Sequence, residues 1–203
     1  MGNQLRFNAE RHEYTVGCIV LPSVTTIISA VGLYEFDSVP IETLEVAAER
    51  GRNVHTYIEW YEQGVLDMAS IDPELEGYFN AYLSMKAEGL IPEKPFAIEK
   101  RSWSHKYRYA GTMDMLFNGG RWIHDHKTGL PSPATGLQLS AYWLMDHPDM
   151  SDKPERLTAG YLTRRGEYNL VDYDYEPLAW LAVFADYGWR VKNNMIRSRW
   201  RNR

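Results

Sequence analysis

Between Lys94 and Thr128 the spacing of apolar residues falls from the helical three-and-four to two, in the runs KPFAIEKRSW, YAGTMDMLF and RWIHDHKT. Three short strands in succession, joined by tight turns, imply an antiparallel meander. The last two runs are separated by Gly119 and Gly120. A two-residue type I′ loop needs positive φ at both central positions, and two glycines meet that need. The loop sets the register: Asn118 faces Arg121, Leu116 faces Ile123, Asp114 faces Asp125 and Thr112 faces Lys127, all on one side of the ribbon. Met113, Met115 and Phe117 then share the other side with Trp122, His124 and His126.

The mostly apolar side is expected to pack against a helix. On the opposite side two facing carboxylates, with Cβ atoms about 5 Å apart, repel each other. A divalent cation compensates, because both carboxylates reach an oxygen-seeking ion such as Mg²⁺ at about 2.1 Å. Lys127 lies two residues from Asp125 on the same side, within reach of a water or a phosphate beside that ion. Asp114, Asp125 and Lys127 therefore suit metal-assisted phosphodiester hydrolysis, with no covalent enzyme intermediate. A solvated, charged hairpin face is the plain alternative.

Elsewhere the pattern is helical or turns toward strands. Residues 5–20 read as a short hairpin, and PSVTTIISAVG as a short helix capped by Ser23 and stopped at Gly32. A longer helix spans about Ile41 to Gln63, with Gly51 on its apolar stripe, and a third spans about Pro73 to Glu88. Ser132 and Pro133 are cap and first-turn signals for a helix running to about Asp146. Two strands, LTAGYLTR and YNLVDYDY, precede a helix from about Pro177. This order predicts an α/β fold with a mixed, largely antiparallel central sheet flanked by helices and a small N-terminal β-hairpin. One domain over 1–203 is expected, with hairpin and short helix in 1–35, a core over 40–195 and a basic tail over 190–203.

The net charge of −5 argues against a general affinity for nucleic acid, yet the last fourteen residues carry six Lys and Arg and no acid. Such an end can grip phosphate or be a frayed helix terminus. The lone Cys18 points to a reducing compartment. MGNQLRF lacks the features of a signal peptide, and no apolar run reaches membrane-spanning length. A soluble, cytoplasmic protein is expected, in the host cytoplasm if phage-encoded. With neither a G-x-S-x-G elbow nor a Walker loop, no ATP hydrolysis is expected.

Four motifs occur in an order that resembles the PD-(D/E)XK nuclease superfamily, in particular RecB-like nuclease domains and phage-encoded exonucleases. They are AAERGRNVHTYIEW, GTMD, DHKTG about ten residues later, and QLSAY. The opening HEYTVGCIVLPSVTTIIS is similar to the first hairpin of phage members. The resemblance implies a restriction-endonuclease-like core in which Asp114 and Asp125 bind Mg²⁺, with Mn²⁺ able to substitute and the main-chain carbonyl of His126 as a further ligand. It implies that Lys127 orients the attacking water or stabilises the charge on the phosphate, and that His55 completes the coordination. Gln138 and Tyr142 would face the site and the DNA backbone. The residues agree with these roles, since Gln138 and Tyr142 lie one helical turn apart on a shared face.

Glu99 is a further candidate ligand: a turn centred on Lys106 and Tyr107 sets it opposite Asp114. The side chains of His124 and His126 fall on the other face and are not assigned to the metal. The segment KRSWSHKYRY brings Lys100, Arg101, Trp103, Lys106 and Arg108 beside the site, basic groups for phosphates and an aromatic for stacking on unpaired bases. The expected activity is a Mg²⁺-dependent DNA exonuclease acting on linear single- or double-stranded ends. By family analogy, a single-strand annealing or recombination protein is an expected partner. The competing expectation is a catalytically silent DNA-binding accessory module on the same fold; a sequence-specific endonuclease would need a larger recognition region.

Overall fold

The computed structural model of the chain describes residues 4–34 and 39–196. Three strands, β1 (Leu5–Asn8), β2 (Glu13–Val16) and β3 (Ile19–Leu21), form a small antiparallel sheet. The hairpin expected here gains a third strand because Gly17, at φ 61, turns the chain back so that Val16 pairs with Ile19 and Tyr14 with Leu21. Helices α1 (Val24–Ala30), α2 (Ile41–Glu62) and α3 (Glu76–Ala87) follow. The third helix starts later than its apolar pattern suggests, because Asp72 holds the preceding residues in a turn, its side chain accepting from Glu74 N and its carbonyl from Leu75 N.

Strands β4 (Ala97–Trp103), β5 (Ala110–Phe117) and β6 (Trp122–Lys127) come next, then helix α4 (Pro133–Asp146), strands β7 (Arg156–Leu162) and β8 (Tyr168–Asp172), and helix α5 (Pro177–Lys192). The five strands lie in chain order, and only β6 and β7 are parallel. A parallel pair needs a crossover, which α4 supplies. Its start is set by the Ser132 hydroxyl, which accepts from Ala134 N, and by Pro133 in the first turn. The architecture is thus the mixed, largely antiparallel sheet between helices that the sequence implies.

Apolar side chains cover both faces of the sheet. On one, Val24, Ile27 and Ile28 of α1, Leu139 and Trp143 of α4 and Trp180 of α5 pack with Leu116, Ile123 and Leu157. On the other, Val54 and Ile58 of α2 and Phe79, Tyr82 and Met85 of α3 pack with Met115, Phe117 and Trp122. Burial of each large apolar side chain contributes about 2 kcal/mol, so α2 is held on the sheet mainly by Val54, Ile58 and their neighbours. The small sheet sits over the end of β4 and β5, where Tyr14, Val16 and Leu21 cover Trp103 and Ala110.

The Gly119–Gly120 loop forms as its composition requires, with φ of 64 and 92 and a closing bond from Arg121 N to Asn118 O. The ladder pairs Phe117 with Trp122, Leu116 with Ile123 and Met115 with His124, the expected register. One irregularity changes the faces. On β4 and β5, Ile98 pairs with Met115 and Lys100 with Met113, while Glu99 and Asp114 between them form no ladder pair. Glu99 has φ 47, rare for a residue with a side chain. Met113 consequently packs on the α4 side whereas Met115 and Phe117 pack on the α2 and α3 side. Placing all three on one face is therefore corrected: strict alternation along β5 is broken at Asp114, where the ladder to β4 is interrupted opposite Glu99.

Candidate metal centre

Beyond Met115 and His124 the strands β5 and β6 part, and β6 continues alone against β7. Asp114 occupies the gap. Its Oδ2 accepts the backbone N–H of His126 at 2.8 Å, replacing a β5 carbonyl as the partner of that donor. Asp114 and Asp125 are thus not the ladder pair expected from the register; they reach one cleft from the open end of the hairpin. A cleft of about 380 Å³ is bounded by this end of the sheet, by α2 and by the small N-terminal sheet.

The helix α2 presents Arg52, His55, Thr56 and Glu59 to the cleft, the spacing of a single helical face. His55 Nε2 lies 2.8 Å from the carbonyl oxygen of His126. A carbonyl only accepts, so Nε2 carries a hydrogen, and Nδ1 is the ring atom that faces the carboxylate, 3.4 Å from Asp114 Oδ2. Fixing one ring nitrogen through a carbonyl is how metal-binding histidines are commonly oriented. Donor atoms of His55, Glu99 and Asp114 lie within 4.8 Å of one another. The His126 carbonyl, expected as a direct ligand, is engaged here as the acceptor that orients His55.

Asp125, almost wholly buried, is held from two sides. Lys127 Nζ is 2.5 Å from its Oδ2, and Gln138 Nε2 donates to its Oδ1 at 3.0 Å. The same Gln138 nitrogen donates to the Tyr142 hydroxyl at 2.9 Å, so these two residues of α4 reach the site together. Their approach depends on Gly111 of β5: a Cβ there would stand 2.7 Å from Tyr142 Cε1.

The electrostatics are those of crowded acids. Burial, then the Asp125 charge, pushes the Asp114 carboxyl up, against the opposing pull of His55 and Lys127. Glu99 is pushed up as well, by burial and then by Asp114 and Glu59. Burial lowers the Lys127 pKa, but Asp125, Tyr34 and Asp114 outweigh it and raise the value above that of a free lysine. An imidazole nitrogen and two carboxylates with an uncompensated tendency to stay protonated fit a divalent cation, which binds their charged forms.

The other expected site residues divide. Arg101 lines the cleft with its guanidinium over the Phe7 ring. Lys106 and Arg108 are exposed at the β4–β5 turn. Lys100 is instead paired with Asp146 of α4 at 2.7 Å. Trp103 is 7% exposed beneath the small sheet, so the stacking role expected of it is corrected: its ring is core. The rings of His124 and His126 are buried on the α3 side, with His126 edge-on to Tyr82. The basic tail is described only as far as residue 196; residues 197–203 lie outside the described part.

Sequence reasoning missed Arg52, Thr56, Glu59 and Tyr34. The first three follow from extending the helical face of His55; Tyr34, whose hydroxyl donates to Gln138 Oε1 at 3.3 Å, has no local signal. Among the described residues, no helix is long and apolar enough to cross a membrane.

No protein-family model matches the sequence, nor does any curated protein. Among solved structures, the fold is similar to that of a protein from Eubacterium rectale provisionally named an exonuclease. The TM-score is 0.53 at 15% identity, over 87% of this chain and 83% of the other.

Proposed function

We propose that this chain is a metal-dependent DNA exonuclease of the PD-(D/E)XK type, with Mg²⁺ as the working ion and Mn²⁺ able to replace it. The observation that carries the reading is the meeting of His55, Glu99 and Asp114 donor atoms within 4.8 Å, in the cleft that also holds Asp125 and Lys127. The fold shared with a protein named as an exonuclease supports it. His55, Glu99, Asp114 and Asp125 would hold the ion, which supplies an activated water and neutralises phosphate charge.

The remaining roles belong to the chain itself. Lys127, kept charged by its acidic neighbours, is placed to orient the attacking water and to stabilise the phosphorane-like charge. Gln138 holds Asp125 in place, and Tyr142 anchors the same amide. Arg101, Lys106 and Arg108 would engage DNA phosphates; Lys100 and Trp103, already committed to Asp146 and to the core, would not. A single-strand annealing protein remains the partner that the family resemblance suggests.

The test is degradation of end-labelled linear DNA, single- and double-stranded, with Mg²⁺ or EDTA, for wild type, Asp125→Ala and Lys127→Ala. Shortening from an end by wild type with metal alone is the expected result, and the label position reports polarity. DNA binding without cleavage of any linear or circular substrate would replace the reading with a silent accessory module.

A further inference from the structure

The cleft that holds the carboxylates also carries two arginines from different elements. Arg52 stands one turn before His55 on α2, and Arg101 two residues after Glu99 on β4. Neither guanidinium forms an ion pair among the described residues, although Glu59, Glu99, Asp114 and Asp125 line the same cleft. Exposed arginines near so many acids would ordinarily turn toward one of them.

Arg101 meets an aromatic ring instead. Its guanidinium lies over the Phe7 ring, 4.8 Å from the centroid, and Tyr14 backs that ring at 4.6 Å. Tyr14 is itself fixed by a 2.6 Å bond between its hydroxyl and that of Thr112 on β5. The ring contact holds the Arg101 cation at the cleft without an ion pair, and a guanidinium's N–H groups match phosphate oxygens. Arg52 faces the same hairpin, where its charge adds to burial in disfavouring a proton on His12. The β1–β2 hairpin thus touches the surroundings of both cations.

We propose that Arg52 and Arg101 form a guanidinium clamp for two phosphates of a nucleic-acid strand adjoining the phosphate at the carboxylates. The spacing of the clamp is set by α2 on one side and by the Phe7 and Tyr14 stack on the other. The proposal rests on the nuclease reading for the identity of the polyanion, and on the cleft geometry for everything else. It also gives the small N-terminal sheet a task that the metal site alone does not require.

The experiment measures binding of a fluorescent single-stranded oligonucleotide by anisotropy in EDTA, in an Asp125→Asn background, across a salt series. Each phosphate contact on a single strand contributes about 0.7 to the slope of log affinity against log salt. Arg52→Gln and Arg101→Gln should each lower the slope by about that amount and weaken binding about tenfold at low salt; the double variant should lose about twice the slope. Arg101→Lys should keep the slope yet bind more weakly, because an ammonium lacks the planar fork. Slopes equal to the parent in variants with native melting temperatures would overturn the clamp. Cleavage by wild type alongside unchanged slopes overturns the clamp alone; stepped slopes without cleavage overturn the nuclease reading alone; no binding by the parent overturns both.

Discussion

The two faces of β6 carry ionisable side chains in alternation and treat them in opposite ways. Asp125 and Lys127 enter a polar cleft and are held as a charged pair. His124 and His126 enter the packing of the α3 side, where burial lowers both imidazole pKa values, that of His124 to about 3, and keeps the rings neutral. His126 belongs to both faces: its backbone N–H binds Asp114 and its carbonyl binds His55, while its ring lies in the core. One residue of a strand can therefore brace the cleft with its main-chain atoms and anchor the strand with its side chain.

This contrast predicts a separation of activity from stability. Asp114→Asn keeps an oxygen for the His126 N–H but removes a charge proposed to bind the metal and a carboxylate that repels Asp125. Metal-dependent cleavage should fall by about a thousandfold or more, with an unchanged or higher melting temperature for the metal-free protein. His124→Ala should do the reverse, leaving a cavity that costs about 3 kcal/mol while cleavage by the folded protein stays within about threefold of wild type. Cleavage assays beside calorimetry decide it. An Asp114→Asn variant that unfolds, or a His124→Ala variant that folds and cannot cut, would break the contrast.

Gly111→Ala sharpens the point on the neighbouring strand. A methyl group 2.7 Å from Tyr142 Cε1 forces the ring off β5, and overpacking of this kind costs about 1–3 kcal/mol. Because Tyr142 and Asp125 both accept from Gln138 Nε2, activity should drop with stability. Loss of stability alone in thermal melts and cleavage assays would show that Tyr142 serves the core and not the site.

Much of this arrangement was legible because local rules and tertiary structure agree. Gly119 and Gly120 set the hairpin register, Ser132 and Pro133 set the start of α4, and the Gln138 and Tyr142 spacing put both on one helix face, which the family resemblance, not the spacing, directed toward the site. What stayed hidden depends on backbone departures or distant chain segments. The left-handed Glu99 cannot be read from a strand pattern, nor can the ladder break beside it, where Met113 and Met115 take opposite faces and Asp114 fills the gap beside β6. Trp103 reads as an exposed aromatic until the small sheet is laid over it. Tyr34 is separated from Gln138 by 104 positions, so no local spacing relates them.

The two faces should also leave opposite marks on stability against pH. For Asp114 and Glu99 the folded pKa is raised above 3.8 and 4.5, so their contribution is present below those values and is lost as pH rises through the folded ones. For His124 the folded pKa is lowered from 6.5 to about 3, so its contribution is present above 6.5 and is lost as pH falls toward 3. Melting of the EDTA-treated protein should therefore weaken toward both extremes. Mg²⁺ or Mn²⁺ should recover the alkaline side and leave the acid side unchanged. His126→Phe should lift the acid side only, since the site uses its main-chain atoms. A metal that raises melting temperature equally at all pH values would show that it binds elsewhere.

The smallest expected effect tests how far the ordered cleft extends from the carboxylates. Gln138 accepts from Tyr34 through Oε1 at 3.3 Å and donates through Nε2 to Asp125 and Tyr142. Only the amide nitrogen can serve both oxygens, so the amide orientation survives in Tyr34→Phe, and the loss at Gln138 is a single long hydrogen bond of about 1 kcal/mol. That corresponds to a decrease in kcat of about fivefold, with KM for DNA unchanged if Tyr34 serves Asp125 through the Gln138 amide. In a Gln138→Ala background the same Tyr34→Phe substitution should cost almost nothing further, the signature of a residue acting through another. A loss in Tyr34→Phe as deep as that of Lys127→Ala would place the phenol in the chemistry; a rate equal to wild type would show that Asp125 and Tyr142 hold the amide unaided.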